Sequence, residues 1–320
     1  MGGPAGADRV FVVNAGQADQ RLDLFLAVRL ACSRGHAQQV IELGAVTVNG
    51  QSARSSHKVR TGDKVEVLLA DAAEEPEEAS QAATPEDIPL TVLFEDADLI
   101  VIEKPPGMVV HPAGEITSGT LANALAFRWG QEPGLVHRLD RDTSGVMVVA
   151  RSAGARERLI EQFRHHTISK HYVALVHGRV AEKEGRIEAP LRRDKKNRLR
   201  MVTCAPGEGR DALTLFAVRA AWPELTLLDI EIKTGRTHQI RVHCAHLGYP
   251  VVADEMYGKG RTAHLRVAEH RAAVEALGRQ FLHAARLSFD HPSTGQRLTF
   301  EAPLSADLQG LLAVLGASLG

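Results

Sequence analysis

The sequence predicts an α+β protein with a small helix-helix-hairpin domain at its N-terminus. The larger second domain is expected to rest on a mixed, mostly antiparallel sheet with flanking helices. Three observations carry this expectation. Leucines at helical spacing and an Asn-Gly turn occupy the first seventy residues, strand-like apolar runs with few intervening helices crowd the remainder, and an acidic run separates the two.

In the first segment, Leu22, Phe25, Leu26 and Leu30 fall at helical spacing, and a second short helix around residues 38–43 is stopped by Gly44. Val46-Thr-Val then leads into Asn49-Gly50, the strongest short hairpin signal, and Thr61-Gly-Asp-Lys opens an alternating Val-Glu-Val-Leu strand. The domain is placed at residues 20–69. Its basic residues, Arg34 among them, outnumber its acidic ones, and several cluster at the helix-to-helix turn and the hairpin, which suits a phosphate-binding face.

Residues 70–98 hold ten acidic residues and no Lys or Arg, the composition of a solvated linker, which we set at 70–90. The chain's net charge of −1 therefore conceals a surplus of +9 on the rest. From residue 91 to 316 the elements follow in order. Leu99-Ile-Val-Ile reads as a buried strand ending at the turn Lys104-Pro-Pro-Gly, and residues 119–129 as a helix closed by Gly130. A polar loop, His137 to Ser144, feeds a strand apolar on both faces, and Ser152 caps a helix running to Phe163. Further strands are expected at residues 168–176, 213–218, 225–232, 281–289 and 298–301.

Other classes fit poorly. The longest apolar runs, such as residues 146–150, fall far below the roughly 20 residues of a membrane span. Residues 1–7 lack the basic and apolar regions of a signal peptide. Cys32, Cys204 and Cys244 are odd in number and unpaired in spacing, as expected of free thiols in the cytoplasm. His238, His243, His246 and Cys244 lack the spacing of a metal site, and no metal is expected.

The loop His137-Arg-Leu-Asp-Arg-Asp-Thr-Ser-Gly145 packs two arginines and two aspartates between apolar strands. Composition alone would allow two surface ion pairs there, Arg138 with Asp140 and Arg141 with Asp142, each worth at most about 1 kcal/mol. The loop resembles the signature His-Arg-Leu-Asp-x-x-Thr-Ser-Gly of the RluA-type pseudouridine synthases. Four other stretches resemble that family's blocks in order: Lys104 to Pro112, Lys170-His-Tyr-Val-Ala-Leu-Val, Gly235 to His243 with the following Tyr257-Gly258, and Phe281-Leu-His-Ala. Arg21-Leu-Asp, Ser33-Arg34 and residues 44–50 resemble the S4 RNA-binding domain. Ala253-Asp254 stands where the family more often has Gly-Asp, a difference expected to affect the turn more than the chemistry.

The resemblance implies an isomerase that turns uridine into pseudouridine in structured RNA, ribosomal large-subunit RNA above all, with no cofactor, no bound nucleotide and a monomeric state. It implies Asp140 as the catalytic carboxylate, acting as nucleophile or base, with Arg241 as its counter-charge and Tyr172 stacked beneath the uracil. It implies that Arg138 fills the gap left by the extruded nucleotide. The run Arg192, Arg193, Lys195, Lys196, Arg198 and Arg200 reads from its charge as an RNA backbone contact, as does Arg34 from the basic cluster around it. The rival expectations are a ribosome-assembly factor that binds RNA without catalysis and a metal-dependent hydrolase.

Overall fold

The computed structural model describes residues 9–30, 34–42, 46–67, 83–112, 114–130 and 134–316. Residues 70–82 of the expected linker, together with Cys32, Ser33 and Gly44, lie outside the described residues. The chain divides into two compact units, Met1–Pro76 and Glu77–Gly320.

The first unit contains β1 (Arg9–Val12), α1 (Leu22–Leu30), α2 (Arg34–Glu42), β2 (Val46–Val48), β3 (Gln51–Ser52) and β4 (Lys64–Val67). The strands form an antiparallel sheet in the order β1-β4-β2-β3. Asn49 and Gly50 both adopt positive φ, 52° and 78°, as the tight turn between β2 and β3 requires. The apolar positions expected of α1 meet Val40, Ile41, Val46 and Val65 in one core. Strand β1 lies outside the boundary drawn from sequence and adds an edge to that sheet.

Between the first turn of α1 and the start of α2, Asp23 is fully buried and accepts bonds from Arg21 (2.9 and 3.1 Å), Arg34 Nε (3.2 Å) and Gln38 (2.7 Å). The bond from Arg21 leads the causes that hold this carboxyl well below its usual range. Arg34 thus fastens α2 to α1 while its side chain stays 52% exposed.

The second unit is built on a ten-stranded sheet of β5 (Thr91–Glu95), β6 (Leu99–Lys104), β7 (Gly134–Leu135), β8 (Ser144–Ala150), β9 (Ser169–His177), β10 (Glu184–Glu188), β13 (Leu213–Ala221), β14 (Leu225–Ile232), β15 (Leu282–Asp290) and β16 (Arg297–Glu301). A separate hairpin pairs β11 (Leu191–Arg193) with β12 (Met201–Thr203). The helices are α3 (Leu121–Trp129), α4 (Ala153–Arg164), α5 (Gln239–His246), α6 (Ala268–Leu277) and α7 (Ala306–Val314). Residues 84–90, assigned to the linker from sequence, lie against α3: Asn123 holds Thr84 and Glu86 through the main chain, and Ile88 and Leu90 join the same core as Leu121 and Leu125.

Alternation within β6 and β8 explains why both runs are apolar throughout. Leu99, Val101, Val146 and Val148 pack with Leu159 and Phe163 of α4, whereas Ile100, Ile102, Met147 and Val149 pack with Leu121 and Leu125 of α3. The sheet is antiparallel at every junction but one, the parallel pairing of β15 with β8. At that junction Gly145 adopts φ 120°, and a Cβ there would sit 2.1 Å from the carbonyl oxygen of Ala284, so only glycine fits. Gly145, Ala284 and Tyr172 are direct neighbours across β8, β15 and β9, which brings Tyr172 level with the end of the polar loop.

Candidate active site

The loop between β7 and β8 is anchored by buried Val136 and Leu139, and its main chain is held on both sides of Asp140. His137 Nε2 accepts from the Val148 N–H (3.0 Å), so this ring is the neutral tautomer, and burial pulls its pKa down to about 3. Lys104 is fully buried and donates to three carbonyls, of Pro105 (2.8 Å), Met108 (2.9 Å) and Arg141 (2.9 Å). Three acceptors match the three protons of an ammonium, although burial pulls this amine down to about 7. Arg279 donates to the carbonyl of Asp142 (2.9 Å) and grips Asp307 at the start of α7 through a two-bonded fork (2.6 and 3.0 Å). Three separate parts of the fold therefore fix the backbone that presents Asp140.

The Asp140 carboxylate, 18% exposed, accepts a hydrogen bond on Oδ2 from Arg241 Nη1 at 3.1 Å. Arg241 projects from α5, and its other edge is clamped by Asp254: Nε to Oδ2 at 2.6 Å and Nη2 to Oδ1 at 2.9 Å. Asp254 is fully enclosed and also accepts from the main-chain N–H groups of Met256 and Tyr257. Burial works against ionisation of Asp140, but the influence of His238, the charge and hydrogen bond of Arg241, and the charge of Arg138 outweigh it and hold the carboxyl below its ordinary range. Burial likewise works against the charge on Arg241, and the bond to Asp254 with the negative Asp140 nearby more than restores it. The result is an ionised carboxylate aimed by a guanidinium that cannot turn.

A protein of Xanthomonas campestris pv. campestris named ribosomal large subunit pseudouridine synthase D is 40% identical to this chain over 319 residues, covering 96% of the chain and 92% of that protein. The chain belongs to the RNA pseudouridine synthases. A Chloroflexus aurantiacus protein named as an uncharacterised RNA pseudouridine synthase is 44% identical over 316 residues, covering 96% of the synthase and 94% of the relative. Residues 98–246 match the family described as RNA pseudouridylate synthase, and residues 20–65 match the S4 domain. The human RNA Pseudouridylate Synthase Domain Containing 4 superposes with a TM-score of 0.56 at 25% identity, covering 71% of the synthase and 93% of that chain. The expected family, fold class and enzyme class all hold.

Tyr172 of the synthase is partly buried against the core cluster that includes Leu139, Met108 and Val110, and burial together with the charge of Asp140 pushes its phenol above the ordinary range. Arg138 is exposed, and among the described residues no hydrogen bond or ion pair holds its guanidinium. Arg141 does pair with Asp142 (3.2 Å), whereas Asp140 is taken by Arg241 in place of the Arg138 pairing that composition allowed. The basic run is the β11–β12 hairpin: Arg193, Lys195, Lys196 and Arg198 are exposed, while Arg192 and Arg200 are half-buried. Arg200 lies over the ring of Tyr257, 5.3 Å from its centroid.

Sequence reasoning undervalued Asp254. The substitution it noted, alanine for glycine at residue 253, sits at φ 57°, a left-handed conformation that favours glycine. What the turn delivers is the carboxylate that clamps Arg241. On α5 Ile240 and Cys244 are buried, whereas Leu247 is 43% exposed, because the helix ends at His246 and the chain turns away through Gly248 at φ 86°. The histidines of the rejected metal reading go to separate partners, His238 to Tyr257, His243 to Thr214 and Ala189, and His246 to Thr203.

Proposed function

We propose that this synthase modifies large-subunit ribosomal RNA in the cytoplasm, as a monomer without cofactor or metal, and that Asp140 is its reacting carboxylate. The observation that carries the reading is the Asp140–Arg241 contact of 3.1 Å at the only partly open end of a fixed loop. Conversion of uridine to pseudouridine breaks the bond from the ribose to the ring nitrogen, turns the uracil within its site and rejoins the ribose to ring carbon 5. The proton displaced from that carbon is balanced by one gained at the freed nitrogen, so no redox partner or energy source enters. An ionised carboxylate serves either as nucleophile or as base in that sequence. Tyr172, at the level of the loop's end, offers a ring for the uracil, and exposed Arg138 is free to enter the stack that the extruded nucleotide leaves. Relatives named ribosomal large subunit pseudouridine synthase D support the choice of RNA. The deciding measurement treats large-subunit, small-subunit and transfer RNA from cells lacking this gene with the pure protein and maps pseudouridine in each. New modification at discrete large-subunit sites is expected; modification confined to either other RNA would overturn the substrate.

The four exposed cations of the β11–β12 hairpin are taken as phosphate contacts. Replacing Arg193, Lys195, Lys196 and Arg198 together with serine is expected to weaken RNA binding and flatten its salt dependence. The slope of log affinity against log salt should fall by about 0.9 for each lost contact. An unchanged slope would remove the hairpin from the RNA interface.

A further inference from the structure

His238 and Arg241 are three residues apart at the start of α5, and both reach the same oxygen of Asp140: Arg241 Nη1 at 3.1 Å and His238 Nε2 at 4.0 Å. His238 takes a left-handed conformation, φ 54°, to do so. Behind both donors stands Tyr257. Its ring packs edge-on to His238 (centroids 5.6 Å, interplanar angle 79°) and lies 5.1 Å from the guanidinium carbon of Arg241. Its main-chain N–H donates to Asp254, the clamp on Arg241. Its hydroxyl accepts from the Met201 N–H of β12 (2.9 Å) and lies 2.8 Å from His238 Nδ1.

The hydroxyl has one proton, and the Nδ1 lone pair is the acceptor beside it. With that proton given to Nδ1, the ring's own hydrogen must sit on Nε2, the atom facing Asp140. We propose that Tyr257 and His238 are positioning residues for the Asp140 carboxylate, and that the base of the basic hairpin reaches the catalytic centre through them. The proposal rests on Asp140 as the reacting group. Tyr257 fixes the tautomer of His238, and His238 offers the carboxylate a second N–H that closes to bonding distance when substrate draws Oδ2 away from Arg241. Arg200 and Met201, at the foot of the hairpin, contact the same tyrosine, at its ring and its hydroxyl, so a backbone seated on the hairpin bears on the wall of the site.

The test measures single-turnover rate at saturating RNA, alongside RNA affinity and melting temperature, for Tyr257→Phe, His238→Asn, His238→Gln and the double variant Tyr257→Phe/His238→Asn. Phenylalanine keeps the ring and deletes the hydroxyl alone. Asparagine tolerates the left-handed backbone but stops short of Asp140, whereas glutamine can carry an N–H to the Nε2 position. Tyr257→Phe and His238→Asn should each lower the rate about tenfold with affinity within about twofold, and the double variant should be no slower than His238→Asn, because coupled residues do not add. His238→Gln should recover much of the rate. A double variant as slow as the product of the singles, or a Gln variant as slow as Asn, would overturn the arm. An active Asp140→Asn control would instead overturn the assignment of the carboxylate itself.

Discussion

Asp140→Asn is expected to abolish pseudouridine formation, by about four orders of magnitude in single-turnover rate, and to leave RNA affinity and the fold intact. The amide has the shape of the carboxylate and can still accept from Arg241, so the loop, held through Lys104, His137 and Arg279, has no cause to move. What would be lost is the charge that the proposed reaction uses to attack or abstract. The three groups Asp140, Arg241 and Asp254 together carry one net negative charge, and the substitution leaves a neutral pair. Because attraction to the surrounding groups outweighs desolvation and holds the Asp140 carboxyl below its ordinary range, losing its charge should lower the melting temperature slightly at neutral pH, an effect that fades as pH falls toward the carboxylate range. The same variant separates catalysis from ribosome assembly: a cellular phenotype that survives Asp140→Asn would show that RNA binding alone carries the biological role. A variant retaining a tenth of the native rate would remove Asp140 from the chemistry.

Elements set by local periodicity were legible before the fold was seen. β6 and β8 announce themselves as apolar runs, β2 by the Asn49-Gly50 turn after it, α4 by Ser152, whose hydroxyl accepts from the Ala155 N–H at 3.1 Å. Edge and cross-chain features were not. β1 exposes Val10 and Val12 and turns Phe11 inward, and its partner β4 lies some fifty residues further on, so no local pattern marks it. β11 and β12 are short strands within a charge run whose basic residues hid the hairpin. Asp140, Tyr172 and Arg241 were legible only through family blocks. Nothing in spacing ties Arg241 to Asp254 or Lys104 to Arg141, because those bonds span 13 and 37 residues and are created by the fold. The buried fully bonded lysine has no sequence signature apart from its turn.

Arg241→Met should damage the enzyme in two separable ways. Asp254 has a fully enclosed carboxylate whose strong partner is Arg241, and deleting the guanidinium leaves it charged without compensation. Breaking a buried pair from one side costs about 3–5 kcal/mol, so a large fall in melting temperature is expected. Adding Asp254→Asn removes the orphaned charge and should restore much of that stability, since the two changes share one interaction. The catalytic loss should remain, because it concerns Asp140. With Arg241 gone, burial is no longer offset by the adjacent cation and its hydrogen bond, and the Asp140 pKa rises. The proposed reaction needs the ionised form, so rate should be lost as pH falls through the pKa, and a higher pKa should move that acid limb toward neutral pH. The pH dependence of single-turnover rate in Arg241→Met/Asp254→Asn is therefore the decisive curve. Its acid limb should lie at higher pH than the native one, with partial recovery on the alkaline side. Arg241→Lys keeps a charge but cannot grip Asp254 with a planar fork while also reaching Asp140, so its limb should fall between the two. Coincident limbs in all three proteins would mean that Arg241 supports the fold without tuning the carboxylate.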